Sequence, residues 1–211
     1  MLAAACGLIG LPYGVLADSA GLTMAQAVAL SVFTFAGSSQ FAYVSVVGGG
    51  GNPAVAVGGA LLLAARNAFY GPVVTPLLRG GAFRLAVAAQ FLTDETTAMA
   101  SAQDDPTDAR DAFWFTGLAI MSFWVAGTVA GVLLGGNLDD PSAWGLDAAF
   151  PAAFVALLVP HVETRAGRVT ALTGAVIALV AVPITPAGAP ILLAALAVGP
   201  GMAVANRRRP L

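Results

Sequence analysis

The stretch FAGSSQFA, residues 35–42, lies near the middle of a run of 47 residues, 19–65, that contains no charged side chain. Its central residues, 37–40, are small or can form hydrogen bonds. A helix needs about 20 apolar residues to cross a bilayer, and polar groups at that depth need partners inside the protein. The stretch therefore predicts a membrane helix with polar residues near its midpoint, where the helical backbone can be interrupted.

The composition of the whole chain also indicates a membrane protein. Of its 211 residues, 58% are hydrophobic and 9% are charged, whereas a soluble domain carries about 25% charged residues. Mean hydropathy is +0.85. Further uncharged runs recur at 1–17, 67–78, 112–138 and 169–206. We therefore expect an all-α polytopic protein of the cell membrane, surrounded by the lipid bilayer along most of its length.

Glycine, proline and charge clusters divide the chain into about eight apolar segments, which predicts one membrane domain with short loops over residues 1–211. Arginine accumulates in cytoplasmic loops, so the NRRRP tail and the loops at 79–84 and 165–168 are predicted to be cytoplasmic. Three segments separate those two loops, although two loops on one side require an even number of crossings. One segment, either 148–160 or 85–101, is therefore expected not to cross, which leaves about seven spans with the N terminus outside.

Two segments share a weak internal echo. FTFAGSSQFAYVSVV, residues 33–47, and LDAAFPAAFVALLVP, residues 146–160, both place a small residue or a proline between phenylalanines. Transporters often contain inverted repeats with interrupted helices at matching positions. We therefore hypothesise interrupted helices and an inverted repeat.

Two interpretations stay open for the polar residues of the first segment. Small residues let membrane helices approach closely, which accounts for Gly37, Ser38 and Ser39. Packing explains Gln40 less well, because its amide has donors and an acceptor that need partners at membrane depth. The other interpretation is a broken helix whose free backbone N–H groups face an anionic ligand.

Arg66 is the only charged residue between positions 19 and 78. It is the 14th residue of the apolar segment 53–78, too far from either end to reach the headgroups easily. Arg at a membrane helix centre costs about 2.5–3.5 kcal/mol, so such residues usually face a bundle interior or an aqueous cavity beside a partner. We predict a buried Arg66 with Tyr70 one turn away; a span that begins later, near Ala56, is the alternative.

The adjacent acids Asp94 and Glu95 follow an apolar stretch, residues 85–93. Most such pairs mark an exposed helix end. Three neighbouring threonines could instead hydrogen-bond a carboxylate within the membrane, and two acids in a low dielectric raise the pKa of at least one of them. The pair could then carry a proton or receive an ammonium group.

No pattern predicts an enzyme, a cofactor or a metal site. The chain has one cysteine, Cys6, and one histidine, His161, without zinc-ligand spacing, a phosphate loop or a nucleophile motif. No basic stripe with interleaved aromatic residues predicts nucleic acid binding. These features favour a protein that moves a solute over one that transforms it.

At this point the chain resembles a known family, the AzlC-like large subunits of branched-chain amino acid exporters. The motifs that carry the resemblance are LPYGVLADSAGLT, FAGSSQFA, RNAFYGPVVTPLLRG, FLTDE and LDAAFPAAFVALLVP. One motif departs from the family. Where members commonly read Asn-x-Arg-His, this chain has Ala64, Ala65, Arg66 and Asn67, so a role for that histidine does not carry over.

The resemblance implies a proton-driven exporter of small hydrophobic amino acids that works with a small AzlD-like membrane subunit and needs no cofactor. On this hypothesis the substrate carboxylate meets Gly37, Ser38, Ser39, Gln40, Arg66 and Tyr70. Asp94 or Glu95 takes the ammonium group or the coupled proton, and Phe35 and Phe41 contact the aliphatic side chain. The alternatives are a permease for another small zwitterion or weak acid, and a membrane subunit that only assembles a complex.

Overall fold

The computed structural model describes residues 1–78, 80–137, 145, 148, 152, 155, 158–185 and 189–206, and the regular structure in this part is helical, as expected. The α-helices are α1 (Leu2–Ser19), α2 (Met24–Phe33), α3 (Gly37–Gly48), α4 (Pro53–Ala64), α5 (Gly71–Val74), α6 (Ala82–Gln90), α7 (Asp94–Ser101), α8 (Pro106–Gly135), α9 (Arg165–Ala181), α10 (Ala189–Ala194) and α11 (Val198–Asn206). Segments of 3₁₀ helix cover Ala65–Tyr70, Thr75–Leu77, Val159–Glu163 and Ala195–Ala197.

Within the described ranges, three helical stretches are long and apolar enough to cross a membrane: Leu2–Ser19, Pro53–Leu77 and Pro106–Gly135. The number of about seven spans stays a prediction, and so does the inverted repeat. Most of the second echo segment, 146–160, lies outside the described residues, as do Arg79 and the arginines of the tail that were used for orientation.

Two apolar segments are interrupted near their middles. The first is divided into α2 and α3, with residues 34–36 between them, and the second into α6 and α7, with residues 91–93 between them. The longest of these half-helices has 12 residues, about 18 Å, so none can cross a bilayer of about 30 Å alone. The interruption predicted in the first segment is therefore present, immediately before Gly37.

The two interruptions lie against each other. Gln90 Nε2 donates to the carbonyl oxygen of Val32 at 2.6 Å, and this carbonyl is in the last turn of α2, where helical partners run out. The rings of Phe35 and Phe91 meet edge to face, with centroids 6.0 Å apart. Phe35 has a φ of +36°, a strained conformation for a residue with a side chain. Direct contacts thus hold both breaks in place.

The centre of the fold is the close packing of α1 on α8. Glycines on the two helices face each other: Gly7, Gly10 and Gly14 on α1, and Gly127, Gly131 and Gly135 on α8. A Cβ atom added at Gly10 would lie 2.9 Å from the carbonyl oxygen of Trp124, and one added at Gly131 would overlap the carbonyl of Leu11. Glycine is needed for this approach, which is typical of tightly packed membrane helices.

Aromatic side chains attach α3 to this pair. Tyr13 of α1 is fully buried, and its ring lies 5.6 Å from that of Phe41 and 6.2 Å from that of Trp124. Phe41 belongs to α3 and Trp124 to α8, so the cluster joins three helices. It sets the start of α3 beside the middle of α8.

Candidate functional site

A cavity of about 330 Å³ lies where the starts of α3 and α7 approach the middle of the span Pro53–Leu77. Its volume is at the lower end of the range for small-molecule sites, about 300–1,000 Å³. Helices α1 and α8 complete its wall with Cys6, Ile9, Ile120 and Trp124. The cavity is therefore built from segments that are far apart in the sequence.

Most of the predicted site residues line this cavity: Gly37, Ser38, Gln40, Arg66, Asp94 and Glu95. Two do not. Ser39 is completely buried and does not reach the cavity surface, and Tyr70 lies beside Asp94 and Arg66 without lining it. Phe35 and Phe41, expected as an apolar wall, do line it.

The start of α3 has no side-chain cap. Its N-cap residue is Ala36, whose side chain has no oxygen. The Ala36 carbonyl accepts from the N–H groups of Ser39 and Gln40, while those of Gly37 and Ser38 have no helical partner. The Ser38 side chain is buried and its hydroxyl has no partner in the described structure. Free donors at the positive end of a helix favour an anion, so this turn can bind a carboxylate.

Gly37 also satisfies the packing interpretation. A Cβ atom added there would lie 2.8 Å from the Trp124 ring, so only glycine lets the indole cover the start of α3. The indole Nε1 of Trp124 is buried and has no partner. Packing and a role at the cavity are therefore compatible at this position.

Gln40 is held by a chain of buried hydrogen bonds. Its Nε2 donates to Ser31 Oγ at 3.1 Å, and Ser31 Oγ lies 2.9 Å from Thr128 Oγ1. The amide oxygen, Oε1, is buried without a partner. The Gln40 amide was expected to donate to a carboxylate. Its nitrogen instead donates to Ser31, and its oxygen has no donor among the described residues.

Arg66 is in the 3₁₀ segment Ala65–Tyr70, in the middle of the 25-residue stretch Pro53–Leu77, which is helical from Pro53 onward. Its Nη2 lies 3.4 Å from Oδ2 of Asp94, which supplies the expected partner. The expectation that Arg66 is buried is wrong for this chain, because its side chain is 42% exposed. The physical reason is that little of Pro53–Leu77 is covered by the described part of the fold, since 17% of its most apolar window is buried.

Asp94 and Glu95 are the first two residues of α7, so they are at a helix end, but that end faces the cavity. Thr93 and Thr96 form a capping box that satisfies the first turn of α7 without help from the acids. Asp94 Oδ1 is buried and has no partner, while Oδ2 pairs with Arg66. Among the described residues, Glu95 forms no ion pair.

Several cavity residues could not be identified from the sequence. Cys6, Ile120 and Trp124 belong to continuous apolar spans, in which no local signal separates a cavity wall from a lipid contact. Asn67 had a signal, since it is polar and adjacent to Arg66; its Oδ1 is buried without a partner. Ser38, Gln40 and Asn67 each have a buried polar atom without a partner in the described part of the chain, and a polar ligand in the cavity can supply that partner.

The cavity combines three kinds of surface. Free N–H and hydroxyl donors lie at the start of α3, acidic oxygens lie at the start of α7, and the rings of Phe35 and Phe41 supply an apolar wall. Arg66 lies beside Asp94 and can exchange that carboxylate for another. This arrangement complements a small zwitterion with an apolar side chain.

Comparisons with known proteins agree with this picture. The family model "AzlC protein" matches residues 2–138, which include all the cavity residues. An uncharacterized membrane protein of Archaeoglobus fulgidus is 30% identical over 173 residues, 80% of this chain and 74% of that protein. An uncharacterized membrane protein of Helicobacter pylori is 26% identical over 175 residues, 82% and 76% of the two chains. The "Branched-chain amino acid transport protein AzlC" of Bacillus subtilis is 25% identical over 168 residues, 79% of this chain and 66% of that protein. No solved structure matches the chain.

Proposed function

The chain is a membrane protein of the AzlC family, and from this premise we propose that it exports branched-chain and other small hydrophobic amino acids. The observation that carries the proposal is the cavity in which the uncapped start of α3 and the acidic start of α7 meet. A relative named for branched-chain amino acid transport supports the substrate class.

In the proposed binding mode, the substrate carboxylate meets the free N–H groups of Gly37 and Ser38, the Ser38 hydroxyl and the guanidinium of Arg66. The ammonium group meets Asp94, whose Oδ1 has no protein partner. The Arg66–Asp94 pair is long at 3.4 Å and partly exposed, so it is weak. A zwitterion that enters between them gives each charge a new partner, so the pair can open without leaving a bare charge in the membrane.

The proposed driving force is the proton gradient. Glu95 lines the cavity and has no ion-pair partner in the described residues, so it is the carboxylate that can gain and lose a proton without breaking a pair. We also propose that a small AzlD-like membrane subunit completes the exporter. The low burial of Pro53–Leu77 in the described structure leaves apolar helix surface available for lipid or for such a subunit.

The single cysteine of the chain provides a direct test of the binding site. Cys6 lines the cavity, so a small thiol reagent should label it more slowly when a ligand is bound. For the purified chain in detergent, we expect leucine, isoleucine and valine to slow labelling several-fold, and glutamate not to. Cys6→Ser controls for labelling elsewhere. Labelling rates that do not respond to leucine would place the substrate outside this cavity.

Transport itself is tested by efflux from cells loaded with leucine-containing dipeptides. We expect export to require the chain together with a co-expressed AzlD-like subunit, and to stop when a protonophore collapses the proton gradient. A chain that protects Cys6 with leucine but gives no flux with the subunit would act in assembly. Flux that is insensitive to the protonophore would contradict the proton coupling.

A further inference from the structure

A chain of buried hydrogen bonds connects α3, α2 and α8 behind the cavity. It runs from Gln40 Nε2 to Ser31 Oγ, from Ser31 Oγ to Thr128 Oγ1, and from Thr128 Oγ1 to the carbonyl oxygen of Trp124. The three distances are 3.1, 2.9 and 2.9 Å. Gln40 is 1% exposed, and Ser31 and Thr128 are fully buried, so water does not compete for these bonds.

The direction of the chain follows from its last bond. Thr128 has one hydroxyl proton and donates it to the Trp124 carbonyl, an acceptor that cannot donate in return. Thr128 Oγ1 can then accept the proton of Ser31, and Ser31 Oγ accepts from Gln40 Nε2. The Tyr13 side chain also lies beside Ser31 and Gln40. In this arrangement the amide nitrogen of Gln40 is toward Ser31, and Oε1 has no partner among the described residues.

We infer that Ser31 and Thr128 are positioning residues that lock Gln40 with its amide oxygen available to the ligand, and so select an ammonium group over a carbonyl at the α-position. This inference rests on the proposed function. A buried acceptor without a partner is unfavourable, and it is tolerated where a ligand supplies the donor. An α-ammonium group is such a donor, whereas the carbonyl of a 2-oxo acid would place one acceptor against another.

The ligands that test the inference are leucine and 4-methyl-2-oxopentanoate. They share the carbon skeleton and the carboxylate and differ in the α-substituent. In wild-type protein Asp94 also favours leucine, so the change of the ratio between variants is what reports on Gln40. In wild-type protein we expect leucine to protect Cys6 from labelling at a concentration at least about tenfold lower than the oxo acid, since a hydrogen bond to a charged group is worth about 10- to 100-fold.

Removing the lock should change the ratio of the two affinities. In Thr128→Val, the Ser31 hydroxyl loses its acceptor and is free to donate to Gln40, which turns the amide nitrogen toward the ligand. In Ser31→Ala, the amide is released. We expect both variants to lower the leucine preference by about tenfold, partly through tighter binding of the oxo acid. A purely structural role would weaken both ligands equally and leave the ratio unchanged.

Two controls complete the test. Thr128→Ser keeps the hydroxyl and should keep the wild-type ratio. Ser122→Ala removes a hydroxyl of the same helix that donates to the Leu118 carbonyl at 2.8 Å on an exposed face, and it should have no effect. Thermal unfolding in detergent identifies a variant that fails to fold. If Thr128→Val does not fold, Ser31→Ala, which removes only a hydroxyl, tests the inference alone.

The outcomes separate the two proposals. A lower leucine preference in Ser31→Ala or Thr128→Val, with leucine still bound, supports the inference. Leucine protection with an unchanged ratio overturns the inference and leaves the proposed function standing. Equal protection by both ligands in wild type overturns the inference and also the proposed contact of the ammonium group with Asp94. If neither ligand protects Cys6 in wild type, the substrate lies outside this cavity, so the proposed binding site and the inference both fall, while efflux from cells still tests export.

Discussion

The half-helices α3 and α7 both start at the same cavity, yet their first turns differ. The start of α3 has alanine at its N-cap and small neutral residues after it, so its N–H groups and the Ser38 hydroxyl are open. The start of α7 is closed by the Thr93–Thr96 capping box and carries two acids. The two first turns thus offer opposite chemistry to the cavity, free N–H donors at α3 and carboxylates at α7. The residues of the first turn decide this difference.

Removing the charge of Arg66 or of Asp94, which both line the cavity, should have the largest effect. We expect Arg66→Ala and Asp94→Asn each to reduce leucine efflux by about 100-fold or more, because each leaves the other charge without its partner within the membrane. Efflux from cells measures this, and the amount of each variant in the membrane fraction shows that it is inserted.

The pair Arg110–Asp111 is the matched control. Its atoms lie 3.2 Å apart at the exposed start of α8, so Asp111→Asn should leave efflux unchanged. Wild-type export by both Arg66→Ala and Asp94→Asn would remove the two charges from the mechanism.

Obstructing the open end of α3 should have an intermediate effect. The Cβ atom of Gly37→Ala would lie 2.8 Å from the Trp124 ring, so the ring or α3 must move. We expect leucine affinity to fall about tenfold and stability to fall by about 1–3 kcal/mol, as in other overpacked sites. Cys6 protection and thermal unfolding measure the two.

Gly199→Ala is the control for this change, because nothing lies within 4 Å of a Cβ atom there. The double variant with Trp124→Phe, which has a smaller ring, should recover part of the stability. A Gly37→Ala protein that binds leucine normally would mean that the start of α3 does not contact the ligand.

Removing the capping box at the start of α7 should have the smallest effect. Thr93→Ala removes the capping box, and Thr23→Ala removes the corresponding box of α2, which is exposed and away from the cavity. We expect each to lower stability by about 1 kcal/mol. Only Thr93→Ala should also change leucine affinity, by a few-fold, since Asp94 follows it directly. Equal affinities in the two variants would show that the cap is only structural.

Much of this arrangement could be predicted from the sequence, because it depends on local polarity. The helix break before Gly37, the central position of Arg66 and its need for a partner follow from polar residues within apolar runs, whereas the identity of that partner, Asp94, was not predicted. The exposure of Arg66 could not be predicted, since it depends on how many neighbours pack against Pro53–Leu77.

Long-range pairing was harder to predict than local breaks. Phenylalanine spacing suggested a matching break at 146–160, a segment that lies mostly outside the described residues. In the structure, the break at 34–36 lies against the break at 91–93. A threonine capping box, not aromatic spacing, starts the helix there. Ser31 and Thr128 are 97 residues apart, and only the packing of α2 on α8 makes them partners.

The glycine contacts between α1 and α8 limit how the protein can move. Where backbone atoms already touch, one helix cannot slide or turn against the other without collision, so α1 and α8 form one rigid unit. Cys6, Ile120 and Trp124 of this unit line one wall of the cavity. Any movement of the cavity wall must therefore come from the other segments that line it, around residues 34–36 and 91–93, and it must break the contacts of Gln90 with Val32 and of Phe35 with Phe91.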